Sequence, residues 1–168
     1  YLVLDGHLEA DPTLLLESPK IGMHLPEVLS VEEIDSLIAA IDLSKREGQR
    51  NRAIIETMYS CGLRVSEACN LKLSDLYLSE GFIKVEGKGS KQRLVPIGNV
   101  ARERIMIYMD ERKAKDSKNK DILFLNNRGG ALTRVMVFYV IRDAVERAGI
   151  DKSVSPHIFR HSFATHLL

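Results

Sequence analysis

The sequence predicts a mainly α-helical domain with a small antiparallel β-sheet, an α+β fold. Helix-capping patterns recur along the 168-residue chain, and two alternating segments flank a glycine-containing turn at 87–90. A content of 45% hydrophobic and 28% charged residues is typical of a soluble globular protein. At this length one core can bury about two-thirds of the surface that the unfolded chain exposes. We therefore expect a single folded domain.

Local signals predict each element in turn. Ser30 and Glu33 have the spacing of a capping box, which predicts a helix from there to about Leu43. Gly62 and Gly149 are natural left-handed terminators of two further helices. These two helices are predicted at about 49–61 and 133–147, further helices at about 65–71, 100–115 and from 156 onward, and the strands at 82–86, 91–96 and 122–125.

The first 20 residues are predicted to lie outside this domain, which we expect to span residues 21–168. Pro12 and Pro19 favour an extended linker, and the chain begins at Tyr1 without an initiator Met, which indicates a fragment. The start has neither a basic leader nor a cleavage site. No apolar run approaches the roughly 20 residues that a membrane span requires, so we expect no membrane association.

Charge and cysteine content narrow the function classes. A net charge of +1 identifies no partner, but basic residues cluster at 84–93 and at 112–120. We interpret the first cluster, in the predicted hairpin, as a DNA contact, and the second either as a DNA contact or as solvated surface. Cys61 and Cys69 form no CxxC motif and are predicted to be small buried thiols of a reduced, cytoplasmic protein.

Four residues have the chemistry of a cationic clamp for a phosphodiester. Arg64 follows the helix-ending Gly62, so its planar guanidinium can leave the helix and pair two phosphate oxygens. Lys88 lies in a two-glycine turn, where a lysine can deliver a proton to a leaving hydroxyl. His157 and Arg160 share one face at the start of a helix, whose N-terminus favours an anion.

Other interpretations of these residues exist. Arg64 and Glu67, three residues apart, could form an ordinary surface pair. His157, His161 and His166 could be metal ligands, since the first two have the i, i+4 spacing of zinc sites. However, no HExxH glutamate accompanies them and His166 falls off their face. We therefore predict no metal site.

Taken together and in this order, the motifs resemble the catalytic domain of the tyrosine recombinases, closest to the bacterial Xer type. The resemblance covers essentially the whole chain and implies the catalytic-domain fold of that family. It also implies that residues 1–20 are the end of an N-terminal core-binding domain and the linker. The motifs are Gly62-Leu63-Arg64-Val65-Ser66-Glu67, Gly87-Lys88-Gly89-Ser90-Lys91-Gln92-Arg93-Leu94-Val95-Pro96 and Ser155-Pro156-His157-Ile158-Phe159-Arg160-His161.

The resemblance implies site-specific recombination of double-stranded DNA through a 3′-phosphotyrosyl intermediate, with no cofactor and with a homo- or hetero-tetramer on the DNA. It implies that Arg64 and Arg160 bind the non-bridging phosphate oxygens. Lys88 would protonate the 5′-oxygen, His157 would assist the tyrosine, and Glu67 would orient Arg64. Four further basic residues are predicted to contact DNA: Lys91, Arg93, Arg128 and Arg134.

The chain departs from the family pattern after Arg160. The family has a second His or Trp and then the nucleophilic Tyr some tens of residues further on, whereas only eight residues follow Arg160 and none is Tyr. We therefore expect this chain to be unable to cleave DNA by itself. A DNA-binding relative without strand transfer and a type IB topoisomerase remain alternatives, and the target site is left open.

Overall fold

A computed structural model describes residues 28–167, so the predicted linker and the domain boundary near residue 20 lie outside the described residues. This part of the chain contains six α-helices and one three-stranded sheet, which confirms the predicted fold class. The elements are α1 (Val31–Ala39), α2 (Gly48–Cys61), α3 (Val65–Cys69), β1 (Leu76–Tyr77), β2 (Phe82–Glu86), β3 (Gln92–Pro96), α4 (Asn99–Glu111), α5 (Arg134–Ala148) and α6 (Pro156–His166).

The sheet is antiparallel in the order β1-β2-β3. Strands β2 and β3 form the predicted hairpin, in register from Phe82 opposite Pro96 to Glu86 opposite Gln92. A 3-10 turn joins them, and Gly89 takes a φ of 74° there, a conformation that glycine adopts without a steric penalty. Strand β1 was not predicted, because a two-residue strand is too short to show alternation.

Helix α2 lies at the centre of the fold, in contact with α1, α3, α4 and α6. Burying one large apolar side chain stabilises the folded state by about 1.5–3 kcal/mol, so this interior dominates the stability. Within residues 28–167, no helix is long and apolar enough to span a membrane. The fully buried side chains include Leu37, Ile54, Ile55, Ile105, Phe124 and Phe159.

Capping patterns predicted the start of α1 correctly but not its end. The Ser30 hydroxyl accepts a hydrogen bond from the Glu33 N–H at 3.1 Å, and the Glu33 carboxylate accepts one from the Ser30 N–H at 2.8 Å. The helix was expected to reach about Leu43 but ends at Ala39. Asp42 explains the early end, because its carboxylate accepts hydrogen bonds from the Ser44 N–H and hydroxyl, a local turn that competes with the helix.

Two further expectations need correction. Helix α4 ends at Glu111 rather than near residue 115, because Arg112 is extended and its guanidinium donates to the carbonyls of Ile122 and Leu123. The predicted strand at 122–125 forms only isolated bridges, with Ile122 opposite Lys72 and Leu125 opposite Ala131. The segment changes partner within four residues and no continuous ladder develops.

Candidate active site

The end of α2 determines where Arg64 lies. Gly62 takes a left-handed conformation, with φ 57° and ψ 38°, and reverses the chain direction. Leu63 is then fully buried, while Arg64 is the extended residue that precedes α3. Its side chain is 54% exposed, so the guanidinium leaves the helix as predicted.

The start of helix α6 determines where His157 and Arg160 lie. The Ser155 hydroxyl caps the helix by accepting a hydrogen bond from the Ile158 N–H at 3.4 Å, and proline occupies the first turn. Phe159 is fully buried on the opposite side of the helix from the exposed His157. This anchoring leaves His157 and Arg160 on the face away from the core.

Three of the four predicted catalytic residues share one open cleft. Arg64, His157 and Arg160 line it, with Ile158, His161 and Ala164 completing the wall. Lys88 does not line this cleft; it lies exposed in the turn of the β2–β3 hairpin. Larger cavities lie elsewhere, two of them beside Arg128 at the N-terminal end of α2, and these contain none of the four residues. We place the candidate site in the smaller cleft because Arg64, His157 and Arg160 line it.

Glu67 is buried beside the cleft and connects the arginines of the site. Its side chain is 2% exposed and accepts hydrogen bonds from the Arg64 N–H at 2.8 Å and from Arg64 Nη1 at 3.0 Å. Arg93 donates to both carboxylate oxygens, at 2.8 and 3.0 Å. Arg160 Nη1 lies 3.5 Å from Glu67 Oε2. One buried carboxylate therefore faces three guanidinium groups.

The environment keeps Glu67 ionised. Burial by itself raises the pKa of this carboxyl, but hydrogen bonds from Arg93 and from the Arg64 N–H outweigh it and lower the pKa to about 2. The hydrogen bond to Glu67 in turn raises the pKa of Arg93. At neutral pH the cluster is therefore one carboxylate with three cations.

This charge balance leaves positive charge available to a ligand. Arg160 Nη1 is buried and, among residues 28–167, has no hydrogen-bond partner. Burial and the neighbouring Arg64 cation lower the pKa of Arg160, because both disfavour the charged guanidinium. An anion between Arg64 and Arg160 would relieve that repulsion and satisfy the donor.

The remaining predicted DNA contacts lie on separate surfaces. Lys91 is exposed at the end of the hairpin turn. Arg128 is exposed in the turn at 126–130, and Arg134 is the exposed first residue of α5. Arg93 differs, since its guanidinium is bonded to Glu67. Sequence reasoning missed this contact, although Arg93 and the half-buried Val95 are two residues apart and so share a strand face.

His166 does not lie with His157 and His161, the two histidines that line the cleft. His166 Nδ1 lies 2.8 Å from the Tyr59 hydroxyl, in contact with α2 rather than with the other histidines. Across the described part of the chain, no group of three His, Cys, Asp or Glu side chains is arranged to hold a metal ion.

Comparison with known proteins identifies the class to which this fold and site belong. The phage integrase family model matches residues 27–168. The chain therefore belongs to the phage integrase family. Within it, the chain is similar to tyrosine recombinases of the Xer type: it is 40% identical over 171 residues to tyrosine recombinase XerD of Listeria innocua serovar 6a and 45% identical over 172 residues to tyrosine recombinase XerC of Anoxybacillus flavithermus.

Solved structures agree with this assignment. The XerA recombinase crystal structure superposes with a TM-score of 0.77 at 39% identity, covering 90% of this chain and 52% of that chain. The XerH site-specific recombinase bound to palindromic difH substrate, a post-cleavage complex, gives 0.76 at 31% identity, covering 89% of this chain and 44% of that one. All of this chain aligns with the XerD and XerC relatives, but it spans only 58% and 57% of their lengths.

Proposed function

We propose that this chain forms the phosphate-binding part of a site-specific DNA recombinase that cleaves and rejoins strands through a 3′-phosphotyrosyl intermediate. The observation that carries the proposal is that Arg64, which precedes α3, and Arg160 on α6 line one cleft and both contact the buried Glu67. The XerD and XerC relatives are tyrosine recombinases, and the XerH structure is a complex with its difH substrate.

The three cleft residues, together with Lys88 and Glu67, each have a role in the proposed reaction. A tyrosine hydroxyl attacks the phosphorus and the bond to the 5′-oxygen breaks. Arg64 and Arg160 bind the non-bridging oxygens, and Lys88 gives a proton to the departing 5′-oxygen. His157 holds the attacking tyrosine by a hydrogen bond or accepts its proton. Glu67 keeps Arg64 in one orientation.

Electrostatic stabilisation is the main contribution that the described residues can make. Negative charge builds up on the non-bridging oxygens in the transition state, and fixed cations in a partly buried site stabilise it without having to reorganise. Removing one such donor typically costs about 10²–10³-fold in rate. Since the covalent phosphotyrosyl bond keeps the energy of the broken phosphodiester, religation requires no cofactor.

The proposed partner is double-stranded DNA, held by backbone contacts from exposed basic residues outside the cleft. Lys91, Arg128 and Arg134 fit this role because all three side chains are exposed. Arg93, predicted as a fourth contact, has both terminal nitrogens bonded to Glu67. We further propose a homo- or hetero-tetramer on the DNA, acting in the cytoplasm, where the buried thiols Cys61 and Cys69 stay reduced.

Covalent trapping on nicked suicide duplexes tests the proposal. The five tyrosines of this chain all precede Arg160, whereas the family places its nucleophile after that motif. We therefore compare this 168-residue chain with a version extended along its natural reading frame, both in EDTA. A denaturation-resistant protein–DNA adduct only with the extended version is the expected result, and peptide mapping should place the linkage on a tyrosine beyond Leu168.

Other outcomes distinguish the alternatives. No adduct from either version on a broad panel of sites, combined with salt-sensitive binding, would favour a DNA-binding relative without strand transfer. Adducts formed at many unrelated sequences, with relaxation of supercoiled plasmid, would favour a type IB topoisomerase. Adducts confined to one short sequence support recombination.

A further inference from the structure

The hydrogen-bonding capacity of Glu67 is completely used. Oε1 accepts from Arg93 Nη1 at 2.8 Å and from Arg64 Nη1 at 3.0 Å, while Oε2 accepts from Arg93 Nη2 at 3.0 Å and from the Arg64 N–H at 2.8 Å. A carboxylate offers about four acceptor positions, so none is left. Arg160 Nη1, 3.5 Å from Oε2, makes an electrostatic contact but no hydrogen bond among the described residues.

Strand register directs Arg93 toward this carboxylate. Arg93 lies opposite Val85 in the β2–β3 ladder, and Val85 is 1% exposed. Opposite residues project from the same face of a sheet, so Arg93 leaves the sheet on its buried side. The next residue, Leu94, points outward and is 63% exposed.

The backbone of the hairpin also lies against the ion cluster. A Cβ atom added to Gly87 would lie 3.5 Å from Arg93 Nη1 and 3.6 Å from Glu67 Oε1. Gly87 immediately precedes Lys88, and its N–H donates to the Lys91 carbonyl at 2.8 Å. The base of the turn that carries Lys88 therefore lies next to the Glu67–Arg93 ion pair.

The consequence of removing Arg93 follows from these distances. Two acceptor positions of a buried, ionised carboxylate would be vacated, and an unsatisfied buried charge is costly. Arg160 Nη1, which has no hydrogen-bond partner among residues 28–167, lies 3.5 Å from Oε2 and needs to move only a few tenths of an ångström to bond it. Arg160 would then be drawn away from the cleft.

We propose that Arg93 is a positioning residue of the cleavage reaction. By occupying two acceptor positions of the Glu67 carboxylate, Arg93 keeps the Arg160 guanidinium free for the scissile phosphate. It also connects the hairpin that carries Lys88 to the arginine pair. In this role Arg93 contacts no DNA phosphate, in contrast to the role expected from the sequence. The inference rests on the proposed recombinase function.

The test measures two quantities in the extended protein: the single-turnover rate of adduct formation at saturating DNA and the salt dependence of DNA binding. For Arg93→Met we expect a rate loss on the order of 10²-fold, as for other small misplacements of reacting groups. The log–log salt slope should not change. Lys91→Met, which removes a proposed phosphate contact, should instead lower the slope by about 0.9. Gln92→Ala, an exposed neighbour on the same strand, is the matched control.

Two further variants separate positioning from folding. Arg93→Lys keeps the charge but cannot make two parallel hydrogen bonds, so it should fold and still lose rate. If Arg93 acts through Glu67, Arg93→Met should add little to the loss already caused by Glu67→Gln. Urea unfolding of each variant verifies the fold, and if Arg93→Met is unfolded, the lysine variant carries the test.

Several results would overturn the inference. A salt slope lowered by about 0.9 in Arg93→Met, with an unchanged rate at saturating DNA, would make Arg93 a phosphate contact. Full activity of Arg93→Lys would show that the two parallel hydrogen bonds to Glu67 are not needed. If the rate loss of the Arg93→Met, Glu67→Gln double variant equals the product of the two single losses, Arg93 does not act through Glu67. If the unsubstituted extended protein forms no adduct, the proposed function itself fails and the inference falls with it.

Discussion

Gly62 and Phe163 approach each other so closely that no side chain fits between them. A Cβ atom on Gly62 would lie 2.3 Å from Phe163 Cε1 and 2.4 Å from Cδ1. Gly62 ends α2 two residues before Arg64, and Phe163 follows Arg160 by one turn of α6. This contact therefore joins the two segments that supply the arginine pair.

Gly62→Ala should destabilise the fold by more than the cost of its left-handed conformation. That cost is about 1–2 kcal/mol, and overpacking adds about 1–3 kcal/mol. Gly81→Ala is the matched control, because Gly81 has a φ of 80° but open space around its Cβ position. Urea unfolding should rank Gly62→Ala clearly below Gly81→Ala in stability. Equal losses would show that the Phe163 ring moves aside at no cost.

Local chemistry made much of this fold predictable. The left-handed end of α2 at Gly62, the capping box of Ser30 and Glu33, and the β2–β3 hairpin each depend on residues within a few positions of one another. The cleft residues were predictable for the same reason, since Arg64 and the His157–Arg160 pair each belong to a short motif.

Features that depend on distant partners were not predictable in this way. Arg93 and Glu67 are 26 residues apart, and nothing local to either one specifies a bidentate contact. The segment 122–125 has the composition of a strand, but its partners lie on two different segments and it forms only single bridges. In both cases tertiary packing decides what a hydrophobic or basic residue contacts.

Arg64→Ala and Arg160→Ala should each abolish DNA cleavage by the extended protein while leaving it folded. Both guanidiniums are partly exposed and neither belongs to the apolar core, so their loss removes phosphate donors rather than packing. We expect at least about 10²–10³-fold slower adduct formation on suicide duplexes. Arg147→Ala, a surface pair partner on α5, is the control. Normal cleavage by either cleft variant would remove that arginine from the proposed mechanism.

The two cysteines should be chemically inert in the folded protein. Burial raises the pKa of Cys61 to about 12 and that of Cys69 to about 11. At pH 8 the fraction of reactive thiolate at Cys69 is therefore roughly a thousandth. Intact-mass measurement after iodoacetamide treatment should show no labelling of the native protein and two labels in urea. Rapid labelling of the native protein would show that these thiols are accessible.

Arg112 should stabilise the segment that follows α4. Its guanidinium donates to the carbonyls of four residues: Asn119, Lys120, Ile122 and Leu123. Arg112→Met leaves these acceptors without a charged donor, which we expect to cost on the order of 2 kcal/mol in urea unfolding. Arg102→Met, within α4, is the control, since among residues 28–167 the Arg102 side chain donates only to the Leu78 carbonyl. Similar losses of unfolding free energy in both variants would contradict a stabilising role of Arg112 for the segment after α4.

The ion cluster around Glu67 should make stability depend on acid pH. The pKa of Glu67 is about 2 in the folded protein, below its ordinary value of 4.5, although burial alone would raise it. Its ionised form therefore stabilises the fold fully above about pH 4.5, and this stabilisation is lost as the pH falls toward 2. The contribution at neutral pH is on the order of 3 kcal/mol.

Urea unfolding of the unsubstituted chain and of Glu67→Gln, at pH values between 7 and 3, measures this contribution. The unsubstituted chain should be the more stable at pH 7, and the difference should shrink steadily below about pH 4.5 because protonation removes the same charge that the glutamine lacks. Asp143→Asn, which removes an exposed partner of Arg147, is the control and should have little effect on stability, because exposed pairs contribute little. A difference that stays constant down to pH 3 would mean that Glu67 stabilises the fold through its shape and not through its charge.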